Sequence, residues 1–107
     1  MDVLPSHVVT AGPDFKANKR HHDALAQALK ANLEKTRLGG PEEDRKRHAG
    51  RGKLLPRERI RRLCDPGTPF LELSTLAAHG LYDGGAASAG VVTGIGRVQG
   101  RECMVVA

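Results

Sequence analysis

Between His22 and Leu38 the apolar residues Leu25, Ala28, Leu29 and Leu33 recur at helical spacing, leaving Lys30, Glu34 and Lys35 for the opposite face. That pattern predicts an amphipathic helix. Gly39 and Gly40 stop it, with Lys35 and Arg37 near the negative end of its dipole. Residues 1–20 mix Pro, Gly, Ser, Asn and charge without a period, and are expected to form a flexible N-terminal arm. Pro41-Glu42-Glu43-Asp44 opens a second helix: Pro suits a first helical position, and the carboxylates complement the positive end of the dipole. Arg45, Lys46, Arg47 and His48 follow toward its other end, so charge order supports a helix that has almost nothing to bury. A third helix starts near Pro56, places Ile60, Leu63 and Cys64 on one face, and ends at the Asp65-Pro66-Gly67 turn.

Beyond Pro69 the period changes from helical to alternating. Phe70-Leu71-Glu72-Leu73 reads as a short strand and the Gly- and Ala-rich stretch Ala77 to Gly90 as a loop. Gly90 to Val98 and Arg101 to Ala107 are two further strands, separated by Gln99-Gly100 as in a tight hairpin. The last strand is apolar on both faces, which predicts a sheet with covering layers.

Composition restricts what these elements can build. In 107 residues there are two Phe, one Tyr and no Trp, against 13 Gly and 6 Pro, so any core is thin and aliphatic. The expectation is one domain, and an incomplete one. Seventeen Lys plus Arg against twelve Asp plus Glu give a net charge of +5, which favours an anionic partner. Cys64 and Cys103 are too few and too far apart for a disulfide framework. No apolar run approaches the length of a membrane span, and the first fifteen residues carry Asp2 and no Arg; the expected location is cytoplasmic, away from membranes.

Candidate chemistry is sparse. Gly50-Arg51-Gly52-Lys53 suggests anion contact through cations beside exposed amides, or simply a basic solvated turn. The full phosphate-loop pattern fails at Arg47 and Leu54. Gly94-Ile95-Gly96 with Gly100 imitates a dinucleotide fingerprint, but these glycines lie inside a strand, where they mark a bulge or the close approach of another backbone. His21, His22 and His48 form no zinc spacing with either Cys, and both cysteines suit small core residues. The arginine-rich third helix lacks the stacking aromatics of a nucleic-acid binder. A small basic module holding nucleic acid or an acidic protein through Arg45 to Arg62 is the alternative to an enzyme.

Arg51-Gly52-Lys53-Leu54-Leu55-Pro56-Arg57-Glu58-Arg59-Ile60, followed by Asp65 to Leu73, resembles the opening of the carboxyltransferase (β) subunits of biotin-dependent acyl-CoA carboxylases. Gly90 to Val98 and Arg101 to Ala107 are similar to the first sheet strands of that family's crotonase-like domain, so the resemblance spans about residues 20–107. Leu-Pro-Arg-Glu-Arg-Ile, Pro-Phe-Leu-Glu-Leu-Ser, Leu81-Tyr82-Asp83 and Glu-Cys-Met look most like methylcrotonoyl-CoA carboxylase β chains or their geranyl-CoA relatives, and less like propionyl-CoA carboxylases. The implied fold is α/β: N-terminal helices followed by the first strands of a crotonase-like carboxyltransferase domain, with residues 21–107 its truncated N-terminal part. The implied reaction moves carboxylate from carboxybiotin, carried by a separate α subunit, to an acyl-CoA, with 3-methylcrotonyl-CoA of leucine breakdown first. No metal is expected at that step, the full-length β chains are expected to form a homo-oligomeric core, and no nucleic-acid partner is implied. The family's oxyanion turns are expected beyond Ala107, which leaves this chain inactive alone and with no catalytic residue. By resemblance Arg51 and Lys53 are the expected contacts to coenzyme A phosphates, with Arg57 a third candidate; the alternative for the turn is structural pairing with a carboxylate such as Glu58.

Overall fold

The computed structural model describes residues 3–107, which divide into two compact units, one up to Asn32 and one from Leu33 to Ala107. The first helix, α1, runs over Pro13–Arg37 and crosses that division. It begins nine residues before the apolar period does. Pro13 takes the first helical position, and the Lys16 amide donates to the Gly12 carbonyl at 3.2 Å, so residues 13–20 of the expected arm are helical. Pro13 to Arg20 show no apolar stripe, and all of them but the half-buried Phe15 are exposed. Leu25 and Leu29 are also exposed, while the C-terminal end contributes the buried Thr36. As expected, α1 stops at glycine: Gly39 has φ +92°, and its amide donates to the Thr36 carbonyl at 2.9 Å.

Helix α2, Glu42–Gly50, buries no residue, and its charge order complements the helix dipole. Pro41 stands just outside it, and Glu42–Lys46 (2.7 Å) and Asp44–Arg47 (3.2 Å) form ion pairs along its surface. Helix α3, Pro56–Leu63, has Pro in its first turn and buries Ile60, as the spacing predicts.

Strands β1 (Leu71–Leu73), β2 (Thr93–Val98) and β3 (Arg101–Val106) form an antiparallel sheet in the order β1-β2-β3. The β2-β3 turn is the expected hairpin, with positive φ at both Gln99 (50°) and Gly100 (77°), the geometry whose twist matches paired strands. Asp65, at the end of α3, holds it: its carboxylate accepts from the Gln99 and Gly100 amides at 2.7 and 2.8 Å. Val92 and Ala107 exchange backbone hydrogen bonds at 2.8 and 2.9 Å, continuing the pairing past the strand ends. Gly90, expected in the strand, lies instead in a tight turn over Ala87–Gly90.

One face of this sheet packs on α3. Its core is Ile60, Val92 and Val105, with Cys64, Phe70 and Ala107 against them. The glycines of β2 allow this packing. A methyl group at Gly94 would collide with the Phe70 ring and the Leu71 carbonyl, and one at Gly96 would lie 2.5 Å from Cys64 Sγ. The expected close approach of another backbone thus holds at Gly94, through the Leu71 carbonyl, whereas at Gly96 the neighbours are the side chains of Cys64 and Phe70. The other face carries Leu71, Ile95 and Met104 in one cross-strand row and Leu73, Thr93 and Val106 in the next. It is open: Leu71, Met104 and Val106 are 60, 63 and 70% exposed. Strand β1 therefore turns its single carboxylate inward and its leucines outward.

Candidate functional site

The inward Glu72 meets Arg57, in the first turn of α3. Arg57 Nε donates to Glu72 Oε2 at 3.2 Å and Nη2 to Oε1, with the pair only 26 and 16% exposed. Nη1 donates to the Thr36 and Arg37 carbonyls, both at 3.4 Å, and Nη2 to Ser88 Oγ at 3.2 Å. A guanidinium has five N–H donors, and these contacts occupy all of them. Arg57 thus fastens the end of α1, strand β1 and the Ala87–Gly90 turn to α3. Its carboxylate partner is Glu72, fifteen residues away; Glu58 pairs instead with Arg62 at 2.9 Å. The turn held by Ser88 has positive φ at two non-glycine residues, Ser88 (53°) and Ala89 (52°), a conformation that needs such support.

Arg51 and Lys53 lie on an exposed turn that folds back onto the end of α2. The Arg51 and Lys53 amides donate to the His48 carbonyl (3.2 and 3.4 Å) and the Gly52 amide to that of Ala49 (2.9 Å). His48 Nε2 bonds the Leu54 carbonyl at 3.0 Å and closes the turn. The exposed-amide cradle expected here is therefore absent: the amides satisfy helix carbonyls, and the turn sits at the negative end of the α2 dipole. What the turn offers an anion is two side chains. Both are exposed, and neither pairs with a carboxylate among the described residues.

A groove of about 330 Å³ opens at the start of α3, inside the second unit. Arg37, Arg45, Arg57 and Arg61 line it together with Leu38, Leu55, Val91 and Val92, and Glu58 is its one carboxylate. Arg45 is half-buried, with Nε donating to the Gly40 carbonyl at 3.0 Å. Sequence reasoning placed Arg45 on a solvated helix because its neighbours in the groove come from three other segments. Cys64 and Cys103 are free thiols, both half-buried; Cys64 packs on the core. Among the described residues no three His, Cys, Asp or Glu gather as metal ligands. No helix among them is long and apolar enough to cross a membrane.

Residues 47–107 match the family model of the carboxyl transferase domain. The chain belongs to the carboxyl transferase domain family. The match starts within α2 and takes in the turn, α3 and the whole sheet. The chain is 57% identical over 86 residues to the biotin-dependent 3-methylcrotonyl-coenzyme A carboxylase beta1 subunit of Mycobacterium tuberculosis, covering 80% of this chain and 16% of that protein. It is 46% identical over 105 residues to the mitochondrial methylcrotonoyl-CoA carboxylase beta chain of Arabidopsis thaliana, covering 98% of this chain and 18% of that one. Its fold matches the crystal structure of the beta subunit of geranyl-CoA carboxylase from P. aeruginosa with a TM-score of 0.71 and 37% identity, over 98% of this chain and 20% of that chain. The helices followed by a small sheet are thus part of the carboxyltransferase fold. This carboxyl transferase chain spans 16–20% of the length of these relatives.

Proposed function

We propose that the chain is the amino-terminal part of the carboxyltransferase subunit of a biotin-dependent acyl-CoA carboxylase, with 3-methylcrotonyl-CoA, an intermediate of leucine degradation, as acceptor. The observation that carries this reading is the 57% identity, over 80% of the chain, to a relative named for that substrate. The open sheet face agrees with it, since an apolar surface of this kind is suited to further layers of a larger domain. On this reading the partners are a biotin-carrying α subunit and further copies of the β chain.

Carboxybiotin, when bound, supplies the carboxyl group. None of the described residues is assigned a step of the transfer, and on this reading the chain by itself is inactive. Its part in the reaction is binding. Arg51 and Lys53 present unpaired charge to the coenzyme A phosphates, while Arg57 would reach a phosphate only by releasing one of its protein acceptors. The test is fixation of labelled bicarbonate by the intact β subunit assembled with its biotinylated α subunit and ATP. The reading expects 3-methylcrotonyl-CoA to be carboxylated in preference to geranyl-CoA and propionyl-CoA. Preference for either of the others corrects the substrate, and labelling of none overturns the assignment.

A further inference from the structure

The turn that carries Arg51 and Lys53 has little packing to hold its shape. A methyl group on Gly50 or Gly52 meets no atom of the described residues within 4 Å beyond its own stretch of chain, and Gly52 has φ +73°. Glycine on both sides of Arg51 leaves the backbone many conformations, so the placing of these two exposed cations depends chiefly on hydrogen bonds. Among the described residues four span the turn, and three of them end on one residue. The Arg51 and Lys53 amides share the His48 carbonyl, and the His48 ring meets the Leu54 carbonyl at 3.0 Å; the fourth joins the Gly52 amide to Ala49.

Only the ring bond reaches across the whole loop. The amide bonds fold it onto the end of α2, whereas Nε2 ties that end to Leu54, two residues before Pro56 opens α3. A carbonyl only accepts, so the ring carries a proton on Nε2, as both the neutral Nε2–H form and the imidazolium allow. That nitrogen is engaged, and His48 joins no group of metal ligands among the described residues. We infer that His48 is a positioning residue for substrate binding, whose imidazole sets the turn so that Arg51 and Lys53 meet one anion together. This rests on the reading of those two cations as contacts to coenzyme A phosphates and adds to it the group that holds them. Two side chains that share one multiply charged anion need a fixed spacing, and a loop already ordered for its ligand loses less freedom on binding.

The test is steady-state carboxylation by the intact β subunit assembled with its biotinylated α subunit, with amide exchange of the same preparations. His48→Phe keeps a flat ring and loses the donor; His48→Gln keeps an N–H donor and loses the ring. His48→Phe is expected to raise KM for 3-methylcrotonyl-CoA roughly 2- to 10-fold with kcat unchanged, the range that one lost hydrogen bond allows. Peptides covering residues 49–54 should exchange faster by a similar factor, with β2 and β3 unaffected. His48→Gln should recover part of both losses. In a subunit already carrying Arg51→Ala with Lys53→Ala, His48→Phe should raise KM no further, because no charge is left to place. A residue needed only for folding would lower the melting temperature and leave KM alone. Helix α2 buries no residue, and His48→Ala, which adds no bulk, serves in the same assays if the Phe ring disturbs it.

Unchanged KM in His48→Phe and His48→Ala, beside a raised KM in Arg51→Ala with Lys53→Ala, overturns the positioning role and leaves the cations as substrate contacts. A further rise in KM when His48→Phe is added to that double variant also overturns it, since the ring then acts by another route. Unchanged KM in the double variant itself removes the turn from substrate binding, and the role of His48 falls with it. Exchange in residues 49–54 separates these cases, because it reports the hold of His48 on the turn whatever the turn binds.

Discussion

Replacing Arg57 with methionine removes five hydrogen bonds and leaves Glu72, only 16% exposed, with no partner for its charge. Breaking a buried ion pair from one side costs about 3–5 kcal/mol. Arg57 retains 26% exposure, which places the expected loss at the low end, about 3 kcal/mol. The loss falls on what the guanidinium joins: β1, the end of α1, and the Ala87–Gly90 turn with its two left-handed non-glycine residues. Native-state amide exchange reads this directly, because a local opening cheaper by about 3 kcal/mol lowers protection roughly 100-fold. In the intact protein, Arg57→Met should therefore accelerate exchange in peptides covering residues 71–76 and 86–92, and much less in the β2-β3 hairpin. Arg57→Met with Glu72→Leu removes both charges and should recover most of the protection, since an apolar pair of similar shape can replace a buried ion pair. Protection within threefold of wild type in Arg57→Met, or a double variant no better than the single, would refute the view that this pair fastens the unit.

The glycines of β2 should differ in their tolerance of a side chain. Gly94→Ala drives a methyl into the Phe70 ring and the Leu71 carbonyl, so it should cost about 3 kcal/mol or more in thermal melts of the intact protein. Phe70→Ala should not rescue it, because the Leu71 carbonyl is backbone. Gly96→Ala meets side-chain atoms alone, chiefly Cys64 Sγ, and should cost roughly half as much, a difference that equal melting points would exclude. Lys53→Ala and Arg51→Ala should raise KM for acyl-CoA by roughly 2- to 10-fold with kcat unchanged, an effect that shrinks as salt is added; unchanged KM at low ionic strength would remove both residues from substrate binding.

Much of the fold was readable from local pattern. The charge order of Glu42 to His48, Pro56 before Ile60, and Gln99-Gly100 between apolar runs each report a nearest-neighbour cause, and each element stands where that cause puts it. The start of α1 was not readable from periodicity, because in Pro13 to Arg20 only Phe15 is even half-buried and one residue sets no period. Alternation in Leu71-Glu72-Leu73 identifies a strand but not which side faces this unit's core. That depends on Arg57, whose pairing crosses fifteen residues and competes with the nearer Glu58. The site shows the same limit. Gly50 to Lys53 looked like an amide cradle because glycine composition does not reveal that His48 and Ala49 take those amides. Arg45 looked like a surface charge because the groove it enters is built from α1, α3 and the residues around Val91. Residue types and spacing located the basic region, and tertiary placement decided which of its charges are already satisfied.

The central claim is that these residues bind the coenzyme A end of the substrate. Amide exchange of the intact carboxyltransferase subunit, with and without saturating coenzyme A, tests it in one measurement. The account predicts increased protection in peptides covering residues 48–57, abolished by Arg51→Ala with Lys53→Ala. Coenzyme A binding that leaves this region unchanged, with protection only elsewhere in the subunit, would contradict it.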